Sequence, residues 1–296
     1  DMGIVCERFT TSKLTTFDDL SNMNTFGFRG EALASITHVA HVTITTKTAG
    51  SSCAFKARYS DGKLVPFKQG EKAEPKPCAG VGGTVIVAED LFFNVPSRRK
   101  ALKNPADEYH RVVDVMARYA VHNAGVAFTC KKFGETGGDV HTTVSCSTRD
   151  AIRHCFGVRV ESELIELSAG LADIGFKAKG FITKPSYSVK KGTFVLFINH
   201  RLVDSPSLKK CVESVYSPYL PKGSHSFMYL DLEMAPANVD PNVHPTKSTV
   251  HFLYEDRILD CLAKAVEDVL SSVNSSRTFY TQSILPSAGG GGGGYL

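Results

Sequence analysis

Hydrophobic and polar positions alternate along several short stretches in the first half of the chain, which predicts half-buried β-strands. HVTITTKT (41–48) and AFKARYSDG (54–62) alternate in this way and are rich in β-branched and aromatic residues. Asp61-Gly62 is a strong hairpin-turn signal at the end of the second stretch. Further strands are predicted for TVIVAEDLF (84–92) and VAFTCKKFG (126–134).

Helical spacing replaces the alternation between residues 104 and 123. Asn104 can cap this helix, Pro105 suits its first turn and Gly125 stops it. One face carries the apolar residues that we expect to point inward: Tyr109, Val112, Val113, Met116 and Ala120.

The second half of the chain mixes strands and helices again. Strands are predicted for ESELIELS (161–168), GFKAKGFIT (175–183), GTFVLFINHRLVDS (192–205), HSFMYLDLEM (225–234) and STVHFL (248–253). The third of these contains a tight turn at Asn199-His200. Helices are predicted over 151–156, 205–219 and 255–273. We therefore expect two mixed α/β domains, over 1–137 and 138–274, and a linker or tail over 275–296.

Composition narrows the class of protein without indicating its chemistry. The hydrophobic fraction of 42% supports a packed core, and a net charge of +4 tolerates an acidic partner without implying one. No apolar run reaches the ~18 residues that span a bilayer, so no membrane partner is expected. The eight cysteines form no C-x-x-C pair, which favours reduced thiols. The chain starts at Asp1 and ends in SAGGGGGGYL, and we interpret it as a segment of a longer protein.

The stretch FGFRGEAL (26–33) has the components of an anion site. Its glycines allow close backbone approach, the helix expected after Gly30 would direct free N–H groups at the loop, and Arg29 adds a charge. Alone, the same letters also fit an ordinary turn with a solvated arginine. No Walker A loop occurs, and the glycines do not follow the strand that a dinucleotide fingerprint requires.

Two other stretches carry groups that suit phosphate oxygens. ERFTTSK (7–13) places three hydroxyls beside Lys13, and NVDPNVHPTKSTVHF (238–252) places Lys247 in a proline-bounded loop. Taken singly, each fits a solvated turn or loop as well.

Together these stretches resemble the amino-terminal ATPase region of MutL-type mismatch-repair proteins. ERFTTSK, GFRGEALASI, the Gly83-Thr84 pair, LFFNVPSRRK (91–100), FINHRLV (197–203) and NVHPTK (242–247) occur in the family's order. The resemblance extends from residue 4 to about residue 286, and stretches such as RRKALKNP and SSRTFYTQSILP are similar to eukaryotic members.

The resemblance implies an α+β fold class. A partial GHKL-type α/β sandwich would be followed by a mixed α/β transducer domain with a ribosomal-protein-like fold. In the family the stretch at 11–13 lies at the nucleotide, 29–33 forms a lid over the phosphates, Thr84 reaches the adenine side and Lys247 touches the γ-phosphate. The implied ATP-binding residues are Thr11, Ser12, Lys13, Gly27, Phe28, Arg29, Gly30, Glu31, Ala32, Leu33, Thr84 and Lys247.

The same resemblance places the catalytic residue outside this sequence. In the family the general base is a glutamate on the first helix, and an asparagine four residues later holds Mg²⁺; both would precede residue 1. DMG (1–3) starts like the adenine-reading D-x-G-x-G stretch, but Val5 replaces the second glycine. We expect ATPase activity with ATP and Mg²⁺ in the intact protein, and no hydrolysis and weak ATP binding by this segment. A missing strand and helix would leave an exposed sheet edge and apolar face.

Double-stranded DNA is the second implied partner. Arg98 and Arg99 belong to a basic cluster, and Arg201 matches a hairpin arginine that helps to line a DNA groove in the family. Phosphate contacts of this kind give salt-sensitive binding without sequence preference. A second MutL-type subunit in a heterodimer, MutS-type mismatch-recognition proteins and a nuclear location are also implied.

Two alternatives remain at this stage. One is another GHKL ATPase subunit of the topoisomerase type, and the other is a DNA-clamp module that does not hydrolyse ATP. The sequence identifies neither the partner subunit nor a carboxyl-terminal dimerisation domain or endonuclease site.

Overall fold

In this computed structural model, the described residues are 1–14, 16, 27, 29–102, 104–239 and 252–278. The chain divides into two compact units, Asp1–Asp114 and Val115–Leu296. The predicted domain boundary, after residue 137, lies further along the chain than this division. It stays a prediction. No helix in the described ranges is long and apolar enough to cross a membrane.

The first unit is organised around a five-stranded antiparallel sheet. β1 pairs with β2 and with β5, and β2 also pairs with β3 and β4. Its elements are α1 (Ala32–Val39), β1 (His41–Lys47), β2 (Ala54–Ser60), β3 (Lys63–Val65), β4 (Lys76–Cys78), β5 (Gly83–Glu89), α2 (Pro96–Ala101) and α3 (Pro105–His122), whose last residues belong to the second unit.

The predicted turn at Asp61-Gly62 is confirmed. Asp61 has φ +49° and Gly62 φ +77°, so both residues are left-handed, as tight hairpins between right-twisted strands require. The turn joins β2 to β3, and the side chain of Thr37 accepts a hydrogen bond from the Gly62 amide at 2.9 Å. The hairpin is therefore tied to α1.

One face of the sheet is buried, whereas the edge strand carries exposed apolar side chains. The core contains Cys6, Val42, Ile44, Ala57 and Tyr59, with Leu33 of α1 packed against it. In β5 every residue is exposed, with Val85 at 55% and Ile86 at 50%. An exposed edge and apolar face were expected for this sheet, and the described part of it has both.

The second unit has a mixed five-stranded sheet in the order β11-β10-β12-β9-β8. All neighbours are antiparallel except β10 and β12. Its elements are β6 (Thr129–Cys130), β7 (Val140–His141), α4 (Thr148–Phe156), α5 (Val158–Glu161), β8 (Leu164–Leu171), a 3₁₀ turn (Ala172–Ile174), β9 (Phe176–Thr183), β10 (Thr193–Ile198), β11 (Arg201–Val203), α6 (Pro206–Tyr216), β12 (Phe227–Glu233), a 3₁₀ turn (Pro236–Asn238) and α7 (Glu255–Thr278).

Local sequence signals explain where two of these helices start. Ser147 and Asp150 form a reciprocal capping box at α4. Ser205 caps α6 by accepting a hydrogen bond from the Leu208 amide at 3.3 Å, and Pro206 occupies the first position, where its missing N–H costs nothing. The apolar faces of α6 and α7 then cover one face of the sheet, with Val212, Leu262 and other residues fully buried.

Some predicted elements differ in extent. The strand predicted over 126–134 is reduced to the two residues of β6, and Phe133 beyond it is fully exposed. In α3, Val112 was expected inward but is 52% exposed, whereas Ala117, Ala120 and Val121 are buried. The helix α7 runs through Thr278, so the first residues of the predicted tail are helical.

Candidate nucleotide-binding site

Two of the stretches predicted to contact phosphate lie directly against each other in the first unit. Gly30 has φ +61°, and a Cβ atom at this position would lie 2.3 Å from the carbonyl oxygen of Thr10. No residue with a side chain fits there unless the backbone shifts, because real Cβ contacts with backbone atoms do not come so close. The glycine thus allows the 29–33 stretch to pack directly against the 7–13 stretch.

An ion pair spans the same two stretches. Arg8 Nη2 lies 3.4 Å from Glu31 Oε1, and both side chains are partly solvated. Exposed pairs of this length contribute between zero and about 1 kcal/mol to stability. Glu31 stands at the N-cap of α1, but its side chain makes no capping hydrogen bond. The Glu31 carboxylate is therefore oriented towards Arg8.

The segment that carries Thr10 and Thr11 is held by contacts between residues near its start and the core of the first unit. Cys6 is buried in the core of the unit, and Tyr59 Oη donates a hydrogen bond to the Met2 carbonyl at 2.7 Å. Burial raises the pKa of the Cys6 thiol to about 11, and burial together with the nearby Cys6 raises the pKa of Tyr59 to about 12. Both groups are neutral at physiological pH, so Cys6 packs as a small apolar residue and is a poor nucleophile.

A cavity of about 390 Å³ opens where the two stretches meet, lined by Phe9, Thr11, Leu14, Arg29 and Glu31. A guanidinium can bind phosphate oxygens through two parallel N–H groups, and a threonine hydroxyl can donate a further hydrogen bond. Among the described residues that line the cavity, Glu31 is the only carboxylate, and it faces Arg8. These residues fit a phosphate group, and they do not fit a Mg²⁺ site.

The other residues predicted from these stretches have different environments. Ser12 and Lys13 are exposed, and the Lys13 amide donates a hydrogen bond to Thr11 Oγ1 at 3.2 Å. Gly27 and Ala32 are also exposed. Leu33 packs on the core, so its contribution is to hold α1 in place.

Thr84 lies in β5, and its hydroxyl is 2.8 Å from the hydroxyl of Thr46 on the paired strand β1. The preceding Gly83 has φ +119°, a conformation that side chains rarely adopt. Thr84 is not among the described residues that line the cavity. Phe28 and Lys247, together with most of the predicted strand at 248–253, lie outside the described residues.

The basic residues predicted to contact DNA lie on two elements. Arg98 and Arg99 are exposed in the last turn of α2, where a positive charge is favourable at the negative end of the helix dipole. Arg98 stands over the ring of Phe92 at 5.7 Å, close enough for a cation–π contact. Arg201 is half-buried in β11 of the second unit.

Two contributors to the site were missing from the sequence prediction. Arg8 belongs to the ERFTTSK stretch, but the phosphate prediction for this stretch rests on its hydroxyls and Lys13. Thr10 contributes through its main chain, which no side-chain pattern reveals. The requirement for glycine at residue 30 becomes visible only in the three-dimensional contact with Thr10.

The chain matches a known protein family model and a curated relative. Residues 152–271 match the family model described as the DNA mismatch repair protein, C-terminal domain. The chain is 46% identical to the DNA mismatch repair protein Mlh1 of Dictyostelium discoideum over 97% of its own length. It spans only 35% of that relative, so the chain corresponds to about a third of the curated protein.

Two solved structures have a similar fold to this chain. The crystal structure of the N-terminal domain of a DNA repair protein matches with a TM-score of 0.74 at 22% identity, covering 93% of this chain and 82% of that one. The Aquifex aeolicus MutL ATPase domain complexed with ADP matches with a TM-score of 0.55 at 21% identity, covering 79% and 76% of the two chains. These likenesses confirm the predicted α+β fold class.

Proposed function

We propose that this chain, which belongs to the MutL family of DNA mismatch-repair proteins, provides the phosphate-covering lid and the transducer of an ATP-driven switch in mismatch repair. The observation that supports this proposal most directly is the close contact between Gly30 and the main chain of Thr10. The 7–13 and 29–33 stretches, separated by 15 residues, thereby meet around one cavity that presents a hydroxyl and a guanidinium. The ADP complex of a MutL ATPase domain supports a nucleotide as the ligand.

The lid would bind phosphate through a small set of groups. Arg29 would supply the charge, Thr11 a hydroxyl donor, and the amides at the start of α1 further donors at the positive end of the helix dipole. Gly30 would allow the lid backbone to come close enough for these contacts. Lys13, Phe28 and Thr84 complete the proposed set, with Thr84 on the adenine side.

Glu31 is not the general base in this proposal. Its carboxylate faces Arg8, and the family's base is a glutamate followed four residues later by an asparagine. No such Glu–Asn pair occurs in the 296 residues. ATP hydrolysis with Mg²⁺ therefore belongs to the intact protein, and the isolated chain is expected to hydrolyse no ATP and to bind it weakly.

Lys247 gives the switch its nucleotide sensitivity. A lysine from the transducer that contacts the γ-phosphate loses its partner when hydrolysis releases that phosphate. The relative stability of two arrangements of the protein would then depend on whether ATP or ADP is bound. In the intact protein this change would control pairing with a second MutL-type subunit.

DNA and repair proteins are the proposed partners of the ATP-bound state. Arg98, Arg99 and Arg201 would contact the phosphate backbone, and MutS-type proteins would recruit the complex to mismatches. A nuclear location is proposed because the chain resembles eukaryotic members of the family.

Nucleotide binding can be tested with a chimera in which this chain replaces the matching segment of the Dictyostelium relative. Arg29→Ala should weaken ATP binding by at least about tenfold, because a charge-assisted hydrogen bond contributes about 1.5–3 kcal/mol. Arg111→Ala removes an exposed arginine of α3 and serves as the matched control. Equal ATP affinity in the two variants would refute the proposed lid.

DNA binding is tested separately. Arg201→Ala should weaken DNA binding similarly for all sequences and reduce the slope of log affinity against log salt by about 1. Arg153→Ala, which removes an exposed arginine of α4, should leave both unchanged. If ATP is bound and hydrolysed but DNA affinity does not change between about 50 and 200 mM salt, the phosphate-contact picture fails.

A further inference from the structure

Three side chains that can bind a metal ion converge in the second unit. His122 ends α3, His200 occupies the turn between β10 and β11, and Asp231 lies in β12. Their ligand atoms all lie within 4.8 Å of one another. We propose that His122, His200 and Asp231 form a binding site for a divalent transition-metal ion of the zinc class.

The spacing of the two imidazoles suits a shared metal ion. His122 Nε2 and His200 Nδ1 are 3.1 Å apart. Two nitrogens that each lie about 2.0–2.1 Å from a tetrahedral zinc ion are separated by about 3.3 Å. The observed separation is therefore close to the one that two ligands of a single zinc ion need.

The ring of His122 is held so that Nε2 is directed at His200. Its Nδ1 lies 3.1 Å from Tyr229 Oη, and the ring stacks on Phe197 with centroids 3.9 Å apart and an interplanar angle of 3°. A hydrogen bond to the second ring nitrogen is the usual way in which a metal-binding histidine is oriented. Burial, and to a lesser extent the neighbouring His200, lowers the pKa of His122 to about 4.

Asp231 supplies a carboxyl group with one oxygen that lacks a hydrogen-bond partner among the described residues. Its Oδ1 atom is inaccessible to solvent and has no hydrogen-bond partner among the described residues. A buried carboxylate oxygen without a partner is costly, and an unexplained one points to a missing water or ion. Burial raises the pKa of Asp231, an effect that Glu233 reinforces and that His200 and Lys179 oppose. A divalent cation between Asp231 and the two imidazoles would provide the missing partner.

The donor atoms favour one class of ion. Two imidazole nitrogens and one carboxylate oxygen suit zinc and neighbouring first-row metals, whereas Ca²⁺ and Mg²⁺ prefer sites made of oxygens. Three protein ligands leave a position for water, and His200 is exposed, so the ion has a route from solvent. The ion would join α3, β12 and the β10–β11 turn. Because Arg201 follows His200 directly, metal binding would also fix the turn next to that arginine.

The test is a zinc titration of the metal-free 296-residue chain in competition with a chromogenic chelator. We expect one ion per chain with the wild type. His200→Asn removes an imidazole at a residue with φ +63°, a conformation that asparagine tolerates, and should weaken binding by about 100-fold. His141→Asn changes an exposed histidine elsewhere in the same unit and should leave the affinity unchanged.

A second measurement separates this site from binding by the eight thiols of the chain. Co²⁺ bound to imidazole and carboxylate gives visible ligand-field bands without a sulfur-to-metal charge-transfer band. Asp231→Asn should weaken these bands at a given Co²⁺ concentration, and it retains the size of the side chain. Absence of one-to-one binding, a sulfur charge-transfer spectrum for the bound ion, or zinc affinity that is unchanged in both His200→Asn and Asp231→Asn would overturn the proposal.

Discussion

Gly30 lies on the main chain of Thr10, so closely that any Cβ atom at residue 30 would fall within 2.3 Å of the Thr10 carbonyl oxygen. The contact is formed by backbone on both sides, and it therefore depends on the absence of a side chain at residue 30. It positions Arg29 and Glu31 on either side of the glycine at the mouth of the cavity that Thr11 also lines. The proposed lid depends on this contact.

Gly30→Ala is predicted to disrupt the lid. The left-handed backbone alone costs an alanine about 1–2 kcal/mol, and the overlap with Thr10 adds to this cost. We expect the free energy of unfolding to fall by at least about 2 kcal/mol, measured by urea denaturation. Gly50→Ala is the matched control, because its Cβ would meet nothing within 4 Å, and it should stay within about 0.5 kcal/mol of the wild type. Equal stability of the two variants would contradict the observed contact.

Glu31→Gln is predicted to leave most of the ATPase activity of the chimera intact. Removal of a general base lowers turnover by about 10²–10⁴-fold, whereas loss of an exposed ion pair with Arg8 changes stability by no more than about 1 kcal/mol. We therefore expect turnover within about fivefold of the unmodified chimera, a ratio equivalent to about 1 kcal/mol. A loss of 100-fold or more, with nucleotide affinity preserved, would show that Glu31 is the base.

Asn199→Ala is predicted to destabilise the β10–β11 turn. Asn199 has φ +47°, and its side chain both donates to the Met234 carbonyl at 3.0 Å and accepts from the Met234 amide at 2.8 Å. Loss of two hydrogen bonds and strain in the left-handed region together should cost about 2–3 kcal/mol of unfolding free energy.

Asn199→Gly separates these two contributions. Glycine removes the hydrogen bonds but relieves the strain, so this variant should be more stable than Asn199→Ala by about 1 kcal/mol. Thermal unfolding of the two variants measures the difference. Wild-type stability in Asn199→Ala would contradict a structural role for the bridge to Met234.

The ion pair between Arg257 and Asp173 predicts a pH dependence of stability. Arg257 Nη2 lies 2.6 Å from Asp173 Oδ2, and this hydrogen bond, with the positive charge, lowers the pKa of the carboxyl group. A lowered folded-state pKa contributes stability above the unfolded value of about 3.9, and the contribution disappears as the pH falls through the folded value. The stability difference between the wild type and Asp173→Asn should therefore be constant near neutrality and shrink below about pH 4. A stability difference between the two proteins that grows as the pH falls would contradict the predicted direction.

The fold was largely predictable from the sequence because its signals are local. Alternation located β1 and β2, Asp61-Gly62 and Asn199-His200 marked two left-handed turns, and Ser205-Pro206 marked the start of α6. The strand predicted over 126–134 is shorter than expected, because period-two patterning does not show how far a partner strand extends. The prediction that Val112 points inward was wrong for a related reason, since helical spacing identifies an apolar face without showing what covers it.

The site was predictable in composition but not in geometry. Only the resemblance of the sequence motifs to the family predicted that Thr11, Arg29 and Gly30 lie in one site. The reason why residue 30 must be glycine is a backbone contact, and the pairing of Arg8 with Glu31 spans two stretches that are distant in sequence. The cluster of His122, His200 and Asp231 left no signal at all, because its members come from three separate elements with no fixed spacing.

ATP turnover bears most directly on the proposal that this chain provides the lid and transducer of a MutL-type ATPase. It should be measured side by side for the isolated chain, the Dictyostelium relative and the folded chimera that carries this chain. We predict turnover by the relative and by the chimera, loss of the chimera's turnover on Gly30→Ala, and none by the isolated chain. Turnover by the isolated chain at the chimera's rate, or a folded chimera that hydrolyses no ATP while the relative does, would contradict the account.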